Sequence, residues 1–121
     1  MYGLIPMRGV GVELNVIAGS FETAGGNPTV VNGHGFTVTR SGAGVYVVAF
    51  SQPYPAAVIA VTATCGAKTE ATEMHCEVDG DTLTTAGFTI RLSGVASNNP
   101  VDDNGSLVSF AAFVSDSYLD V

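Results

Sequence analysis

The sequence contains no tryptophan and little charge: only 12% of its 121 residues are Asp, Glu, Lys or Arg, whereas roughly 25% is usual in soluble domains. Its four basic residues, Arg8, Arg40, Lys68 and Arg91, lie far apart, and 11 acidic residues bring the formal net charge to −7. Because binding to phosphate backbones needs clustered Lys and Arg, this composition predicts no nucleic-acid partner. A surface so poor in charge favours a protein whose faces are partly covered by its own copies or by a partner.

Long hydrophobic runs are also missing. The longest extends from Ala56 to Val61, far short of the roughly 20 apolar residues that a membrane-spanning helix needs. Residues 1–8 lack the basic segment followed by a continuous apolar segment that marks a secretory signal peptide. We therefore expect no membrane partner, and a protein that is made in a cytoplasm and stays soluble.

Cysteine is scarce as well. Cys65 and Cys76 are the only two, and the ten residues between them are too many for a Cys-x-x-Cys redox or zinc pair. Without a secretory signal, the expectation is two reduced and largely buried thiols. A disulfide that bridges a hairpin is the alternative.

The residues that are present favour one β-rich domain. Apolar residues make up 46% of the chain, and short β-branched and aromatic stretches recur between Gly, Asn, Pro and Asp, which is typical of sheets. The segment Ala67 to Met74 is too short for an isolated helix and lacks an apolar stripe, so we interpret it as a loop or a single turn. We assign residues 12–121 to a single β domain and residues 1–11 to an N-terminal arm.

Alternating faces and turn residues predict about eight strands. The segment Ala56 to Cys65 is the most hydrophobic and is placed centrally in a sheet, and Asp79-Gly80-Asp81 is interpreted as a hairpin tip. The predicted strands are Val12–Ala18 with an extension toward Phe21, Phe36–Arg40, Val45–Phe50, Ala56–Cys65, His75–Val78, Thr82–Thr84, Gly87–Ser93 and Leu107–Val114. Such a pattern predicts an all-β fold, an antiparallel β-sandwich with jelly-roll or similar Greek-key wiring.

Two segments of the chain resemble each other. Residues 35–42 read GFTVTRSG and residues 87–94 read GFTIRLSG. A single match of this length does not indicate a solenoid, which needs at least three repeats. It predicts equivalent strands in the two sheets of the sandwich.

The N-terminal arm is rich in apolar side chains and contains a proline and several glycines, so regular structure is not expected there. Such a terminus frays unless it is docked. Two alternatives are open: the arm folds back over its own sandwich, or it docks on a neighbouring subunit or partner. The candidate assembly residues are Tyr2, Leu4, Ile5, Met7 and Arg8.

The histidines and cysteines give little support for catalysis or metal binding. His75 and Cys76 are adjacent in a strand and point to opposite faces, so they cannot form a catalytic dyad with each other. Cys65 with His75 is the remaining combination, provided that their strands pair. A structural zinc site would need a second closely spaced pair of ligands, and none is present. His34, between two glycines, is interpreted as a solvated side chain.

The carboxylates have equally simple interpretations. Asp102-Asp103-Asn104 offers oxygen ligands for calcium but lacks the spacing of an EF-hand loop, so a turn is expected. Asp79 and Asp81, at a hairpin tip, would be too exposed for a paired acid/base site. Phosphate-binding loops, nucleophile elbows and dinucleotide fingerprints are absent from the sequence. The sequence therefore predicts no enzyme activity, no cofactor and no metal site.

The segment Gly35 to Phe50, GFTVTRSGAGVYVVAF, resembles a hairpin that recurs in small virion proteins of tailed bacteriophages. Its pattern there is Gly-Phe-Thr-Val-Thr-Arg-x-Gly-x-Gly-x-Tyr-x-Val-x-Phe. The resemblance implies a structural protein with no catalytic residues, typically a β-sandwich that often trimerises. A capsid decoration (cement) protein and a fibre or spike domain both fit this description.

The leading hypothesis is a decoration protein on the capsid exterior, made in the host cytoplasm, that forms a homotrimer, binds the major capsid protein and stabilises the shell. The alternative is a module at a fibre or spike tip that binds a host receptor or glycan. Its loops would be Asn27 to His34 and Asn98 to Ser106. These loops contain no aromatic residue, although glycan sites usually present one.

Overall fold

The computed structural model describes residues 14–53, 60–66, 74–94 and 106–115. The strands are β1 (Leu14–Glu22), β2 (Thr29–Gly33), β3 (Phe36–Gly42), β4 (Val45–Phe50), β5 (Ala60–Gly66), β6 (Met74–Thr84), β7 (Gly87–Gly94) and β8 (Leu107–Ser115). Within these ranges the chain contains no helix that could cross a membrane. The N-terminal arm with Tyr2, Leu4, Ile5, Met7 and Arg8, residues 67–73 and residues 98–105 lie outside the described part.

The strands form two antiparallel sheets of four. We call the sheet with the order β2-β1-β8-β5 the first sheet, and the sheet with the order β3-β4-β7-β6 the second sheet. The pair β4–β7 of the second sheet is nested in sequence within the pair β1–β8 of the first, so both sheets join strands that are distant in the chain. The predicted antiparallel β-sandwich is confirmed.

The core lies between the two sheets because alternate residues of each strand point inward. Aromatic rings connect the sheets: Phe21 lies 5.4 Å from Tyr46, and Phe110 lies 4.9 Å from Phe36 and 5.4 Å from Phe88, between ring centroids. Tilted and edge-to-face pairs of this kind contribute about 0.5–1.5 kcal/mol each beyond their burial. The buried apolar residues are Ile17, Phe21, Phe36, Val38, Tyr46, Val48, Phe50, Phe88, Ile90, Leu92, Val108, Phe110, Ala112 and Val114.

The hairpin of β3 and β4 forms where the sequence predicts it. Phe36 pairs with Phe50 at its open end, and Gly44 adopts a positive φ of 69° in the connecting turn. The Gly44 carbonyl accepts a hydrogen bond of 2.7 Å from the Leu92 N–H, which ties this turn to β7. The recurring apolar positions of the phage-like pattern, Phe36, Val38, Tyr46, Val48 and Phe50, are all buried. The resemblance is therefore carried by residues that build the core.

The predicted hairpin at Asp79-Gly80-Asp81 is wrong, because these residues lie inside the single strand β6. The Asp79 side chain accepts a hydrogen bond from the Asp81 N–H (3.2 Å), and the Thr82 hydroxyl donates to the Asp79 carbonyl (2.6 Å). The same hydroxyl oxygen accepts a hydrogen bond of 2.8 Å from the Thr89 N–H. It takes the place of the backbone carbonyl that would accept this bond in a regular ladder. These bonds produce an irregular stretch within a continuous strand, and the chain reverses later, between β6 and β7.

One strand was not predicted. Thr29–Gly33 forms β2, which pairs with β1 and whose residues are all exposed. Asn27, Pro28 and Gly33 surround the short run of β-branched residues, so the sequence around it has the composition of a loop. The segment Asn27 to His34 is therefore mostly strand, not the recognition loop proposed for a fibre tip.

Two placements of strands also need correction. β5 lies at an edge of the first sheet, next to β8, and is not central. Its inward side chains, Val61, Ala63 and Cys65, are only half-buried. The segment is hydrophobic largely because of small residues, which do not fill a core as large side chains do. The repeated segments of β3 and β7 lie in the same sheet, on either side of β4, and not in two sheets. They are similar because both strands direct apolar side chains at alternate positions into the same core.

Candidate functional site: the outer face of the first sheet

The first sheet presents a broad surface on the side opposite the core. Outward positions of β1, β8 and β5 are aligned across the sheet by their register, so that Val16, Phe113 and Ala60 form one row and Ala18, Ala111 and Thr62 the next. We call this surface the outer face of the first sheet; its positions are Val16, Ala18, Ser20, Glu22, Ala60, Thr62, Thr64, Gly66, Leu107, Ser109, Ala111 and Phe113.

This face is apolar and almost uncharged. Val16 is 56% exposed and Leu107 is 44% exposed, although both are large aliphatic side chains. Glu22, at the end of β1 next to Leu107, is its only charged residue. Val30 and Val31 of the adjacent edge strand are also exposed, at 39% and 46%. Within the described ranges, the large hydrophobic residues that are exposed therefore all belong to the first sheet.

The edge strand β2 lies beside β1 and continues the first sheet. The register of β1 and β2 shifts between Ser20 and Phe21, which pair with Asn32 and Val30, so Val31 is an extra residue without a directly opposite partner. Such a bulge disturbs the regular pattern of free backbone groups through which edge strands add further strands. Val30 lies opposite the buried Phe21 and so belongs to the core side of the sheet, not to its outer face.

The small side chains of the first sheet leave shallow depressions. One of about 240 Å³ lies over β5 and β8, along Thr62, Thr64, Ser109 and Ala111. Another of about 290 Å³ lies beside β1 near Val16 and His34. Pockets for small molecules usually enclose roughly 300–1,000 Å³. These open and smaller depressions suit the side chains of a macromolecular partner better than a buried small ligand.

The outer face of the second sheet has a different chemistry. The Arg91 guanidinium donates to the Asp79 carboxylate from Nε at 3.1 Å and from a terminal nitrogen at 3.0 Å, in an exposed ion pair. The Ser93 hydroxyl and His75 Nε2 are hydrogen-bonded at 2.9 Å, and Glu77 is exposed between these pairs. Apart from Glu22, the charged residues of the described ranges all lie in the second sheet: Arg40, Glu77, Asp79, Asp81 and Arg91.

The residues considered for catalysis do not come together. The condition for a Cys65–His75 pair was that their strands be neighbours, yet β5 and β6 belong to different sheets. His75 points outward, whereas Cys76 points inward and packs against the core, as Cys65 does. Burial is the main reason that the pKa of Cys76 is raised to about 12, with the charge of Cys65 and hydrogen bonding of the Cys76 thiol to Cys65 as further causes. Cys76 is therefore a protonated thiol near neutral pH, unlike an activated nucleophile.

The metal candidates are likewise separated. In the described part of the chain, no group of three or more His, Cys, Asp or Glu side chains could hold a metal ion. Asp79 is engaged by Arg91, and His34 is exposed between two glycines with positive φ. The calcium candidate Asp102-Asp103-Asn104 lies outside the described residues. Ser106, which follows it, is buried and bonded at both its N–H and its carbonyl to Thr23.

Sequence reasoning overlooked the outer face of the first sheet because it considered residue types that carry chemistry. The signal was nevertheless present in the alternation of two strands. Outward positions of the Leu107–Val114 segment hold Leu107, Ser109, Ala111 and Phe113, and those of the first strand hold Val16 and Ala18. An exposed strand face normally carries charged residues. Their scarcity at the outward positions of these two strands, where Glu22 is the only one, would identify the surface together with strand register.

Comparison with protein-family models, with curated proteins and with solved structures gives no match.

Proposed function

We propose that this chain is a structural component of a bacteriophage virion, a capsid decoration protein that associates with its own copies through the outer face of the first sheet. The observation that carries the proposal is the exposure of Val16 and Leu107 on a face with a single charged residue, in a protein with a net charge of −7. Exposed apolar surface of this kind marks interaction sites in soluble proteins. The assignment to a virion comes from the resemblance of the β3–β4 hairpin.

Charge explains why another copy of the chain is a suitable partner for this face. Acidic proteins of one kind repel each other, and the repulsion is strongest where carboxylates meet. The outer face of the first sheet can be covered by an identical face without bringing charged groups together, apart from Glu22 at its end. The second sheet would bring its own carboxylates and Arg91 into contact with those of the next copy. Self-association is therefore favoured through the first sheet.

The small residues of this face support the same conclusion. Ala18, Ala111 and Thr62 form a row across three strands, and side chains of this size allow two sheets to approach at about the 10 Å spacing of packed sheets. Larger side chains lie on either side, at Val16 and Phe113 in one row and at Leu107 in another. We propose a trimer, the state implied by the resemblance, with these faces covered at its centre.

Capsid binding is proposed to use a different part of the chain, the apolar N-terminal residues Tyr2, Leu4, Ile5 and Met7. Deleting residues 1–9 should then weaken binding to capsids while leaving the melting temperature of the free protein nearly unchanged. The comparison requires both measurements on the same preparation. Equal losses of thermal stability and of association in the truncated protein would contradict this assignment.

The direct test uses phage particles that lack the chain. Adding the purified protein should raise the melting temperature of the capsid, because a bound protein stabilises the state to which it binds. A Val16→Glu variant, which should not trimerise, is the matched control and should have a smaller effect. Identical melting with and without the wild-type protein would contradict the proposal. Binding to purified tails but not to capsids would favour the fibre or spike alternative.

A further inference from the structure

Cys65 and Cys76 lie on the same side of the sandwich but in different sheets. Cys65 is on β5, an edge strand of the first sheet, and Cys76 is on β6, an edge strand of the second. Both side chains are half-buried and pack against the core, and β5 and β6 contact each other along this edge of the sandwich. The two strands are joined to separate sheets by their backbone bonds, so this thiol pair is a direct link between the sheet edges.

We propose that Cys65 and Cys76 form a reversible disulfide that joins the two sheets at this edge. The bridge differs from the hairpin disulfide considered from the sequence, because β5 and β6 are not paired strands. The inference does not depend on the proposed function. It concerns a covalent modification of the sandwich itself.

The geometry favours this bond over most pairings of residues from two sheets. Sheets that pack face to face are about 10 Å apart at their centres, whereas a disulfide usually needs Cα atoms 4.4–6.8 Å apart. β5 and β6 contact each other at this edge, so the two strands come closer there than the sheet centres do. Each strand also has one side free of sheet partners, so the small movement that brings the sulfurs into bonding distance breaks no ladder.

The reaction can be written with a small-molecule disulfide, such as oxidised glutathione, as the oxidant. The Cys65 thiol loses its proton, attacks one sulfur of the oxidant and releases one glutathione thiol, leaving a mixed disulfide on Cys65. The Cys76 thiol then loses its proton and attacks the Cys65 sulfur, releasing the second glutathione thiol. Two protein thiols are oxidised to one disulfide, and one oxidant disulfide is reduced to two thiols.

This order of steps follows from the environment of Cys76. Its pKa is raised to about 12 by burial first, and then by the charge of Cys65 and by hydrogen bonding of the Cys76 thiol to Cys65, so its thiolate is scarce. Once Cys65 carries a mixed disulfide, the effects of its charge and its hydrogen bond are removed. His75 and Glu77, the neighbours of Cys76 in β6, point to the opposite face of the sheet. In the described part of the chain, Cys65 is the titratable group that faces Cys76.

The test compares the full-length protein after incubation with oxidised glutathione and after full reduction. We expect the oxidised protein to be lighter by two hydrogens, to have no thiol available for alkylation, and to remain of the same association state. Because the chain has only two cysteines, any disulfide within one chain joins this pair. Oxidation should raise the melting temperature by about 5–10 °C, since the bridge restricts the unfolded chain.

The controls are Cys65→Ser and Cys76→Ser, neither of which should show a comparable rise in melting temperature; Cys76→Ser should gain one glutathione on Cys65. The wild-type comparison is decisive even if a variant folds poorly, since it requires no substitution. Two thiols that stay open to alkylation after prolonged oxidation would overturn the proposal. So would disulfides formed only between chains, or a lower melting temperature in the oxidised protein.

Discussion

The two sheets of this sandwich are alike on the inside and different on the outside. Their inward faces share one core of aliphatic and aromatic residues, joined by contacts such as Phe36 to Phe110. Outside, the first sheet exposes Val16 and Leu107, whereas the second exposes the Arg91–Asp79 ion pair. Every second residue of a strand points into the core. The residues between them point outward, and these are the ones that can contact other molecules.

This difference separates stability from assembly along a single strand. In β8, Phe110 points into the core and Ala111 points to the outer face of the first sheet. A substitution at one residue should therefore affect folding, and a substitution at the next should affect association.

Phe110→Ala should lower the free energy of unfolding by about 3–5 kcal/mol, the usual loss for a large side chain removed from a packed core. Phe110 is 4% exposed and lies between two aromatic rings of the other sheet. Urea unfolding at equal protein concentration measures the loss. The control is Phe113→Ala, on the outward side of the same strand, which should cost much less in folding. Equal losses for the two variants would mean that the assignment of faces is wrong.

Val16→Glu should weaken self-association at least tenfold, or about 1.4 kcal/mol, because a carboxylate would be buried in each copy without a partner. Thr37→Glu, at an exposed position of the second sheet, adds the same charge and should leave association nearly unchanged. Sedimentation velocity over a range of concentrations gives both dissociation constants. A stronger effect of Thr37→Glu would reverse the roles of the two sheets.

High pH should lower the stability of the protein at the edge where β5 and β6 meet. The pKa of Cys76 is about 12 in the folded protein and lower in the unfolded chain, close to the ordinary value for cysteine of about 8.5. The raised pKa contributes to the free energy of unfolding, and this contribution is fully present below the pKa of the unfolded chain. It is lost as the pH rises toward 12, because the thiol of the unfolded chain loses its proton first. In reducing buffer, the melting temperature should fall by more in wild type than in Cys76→Ser above about pH 9. Parallel curves would contradict this prediction.

Arg91→Ala should have the smallest effect, a loss of no more than about 1 kcal/mol in the free energy of unfolding, because exposed ion pairs contribute little. The Arg91 side chain is 48% exposed, and its interaction with Asp79 is weakened further by salt. Thermal unfolding at low and at high ionic strength should show the difference between wild type and variant shrinking with salt. Association should be unchanged, since the substitution lies in the second sheet.

Much of the fold could be predicted from the sequence because period-two alternation directly reports which residues face the core. The strands that contain Phe36, Tyr46, Phe88 and Phe110 were all identified in this way. The errors have physical causes. Asp-Gly-Asp suggested a turn, but Thr82 supplies hydrogen bonds that carry β6 through it. β2 is too short and too exposed to show alternation.

The candidate surface was harder to predict than the fold. It becomes visible only when Val16, Phe113 and Ala60 are aligned across three strands, and the pairing of β1 with β8 links opposite ends of the described chain. Sheet order of this kind depends on packing between distant segments, which local patterns do not contain. The proximity of Cys65 and Cys76 across two sheets was invisible for the same reason.

Hydroxyl-radical footprinting, which reports side-chain exposure by mass spectrometry, tests most directly whether the outer face of the first sheet is the assembly surface. The protein is oxidised at concentrations above and below its association midpoint; the proposed trimer has a mass of about 37 kDa, three times the 12.3 kDa of one chain. Association should protect Val16, Leu107 and Phe113 and leave His75 of the second sheet equally reactive. Protection of His75 without protection of these three residues, or no protection at any concentration, would contradict the account.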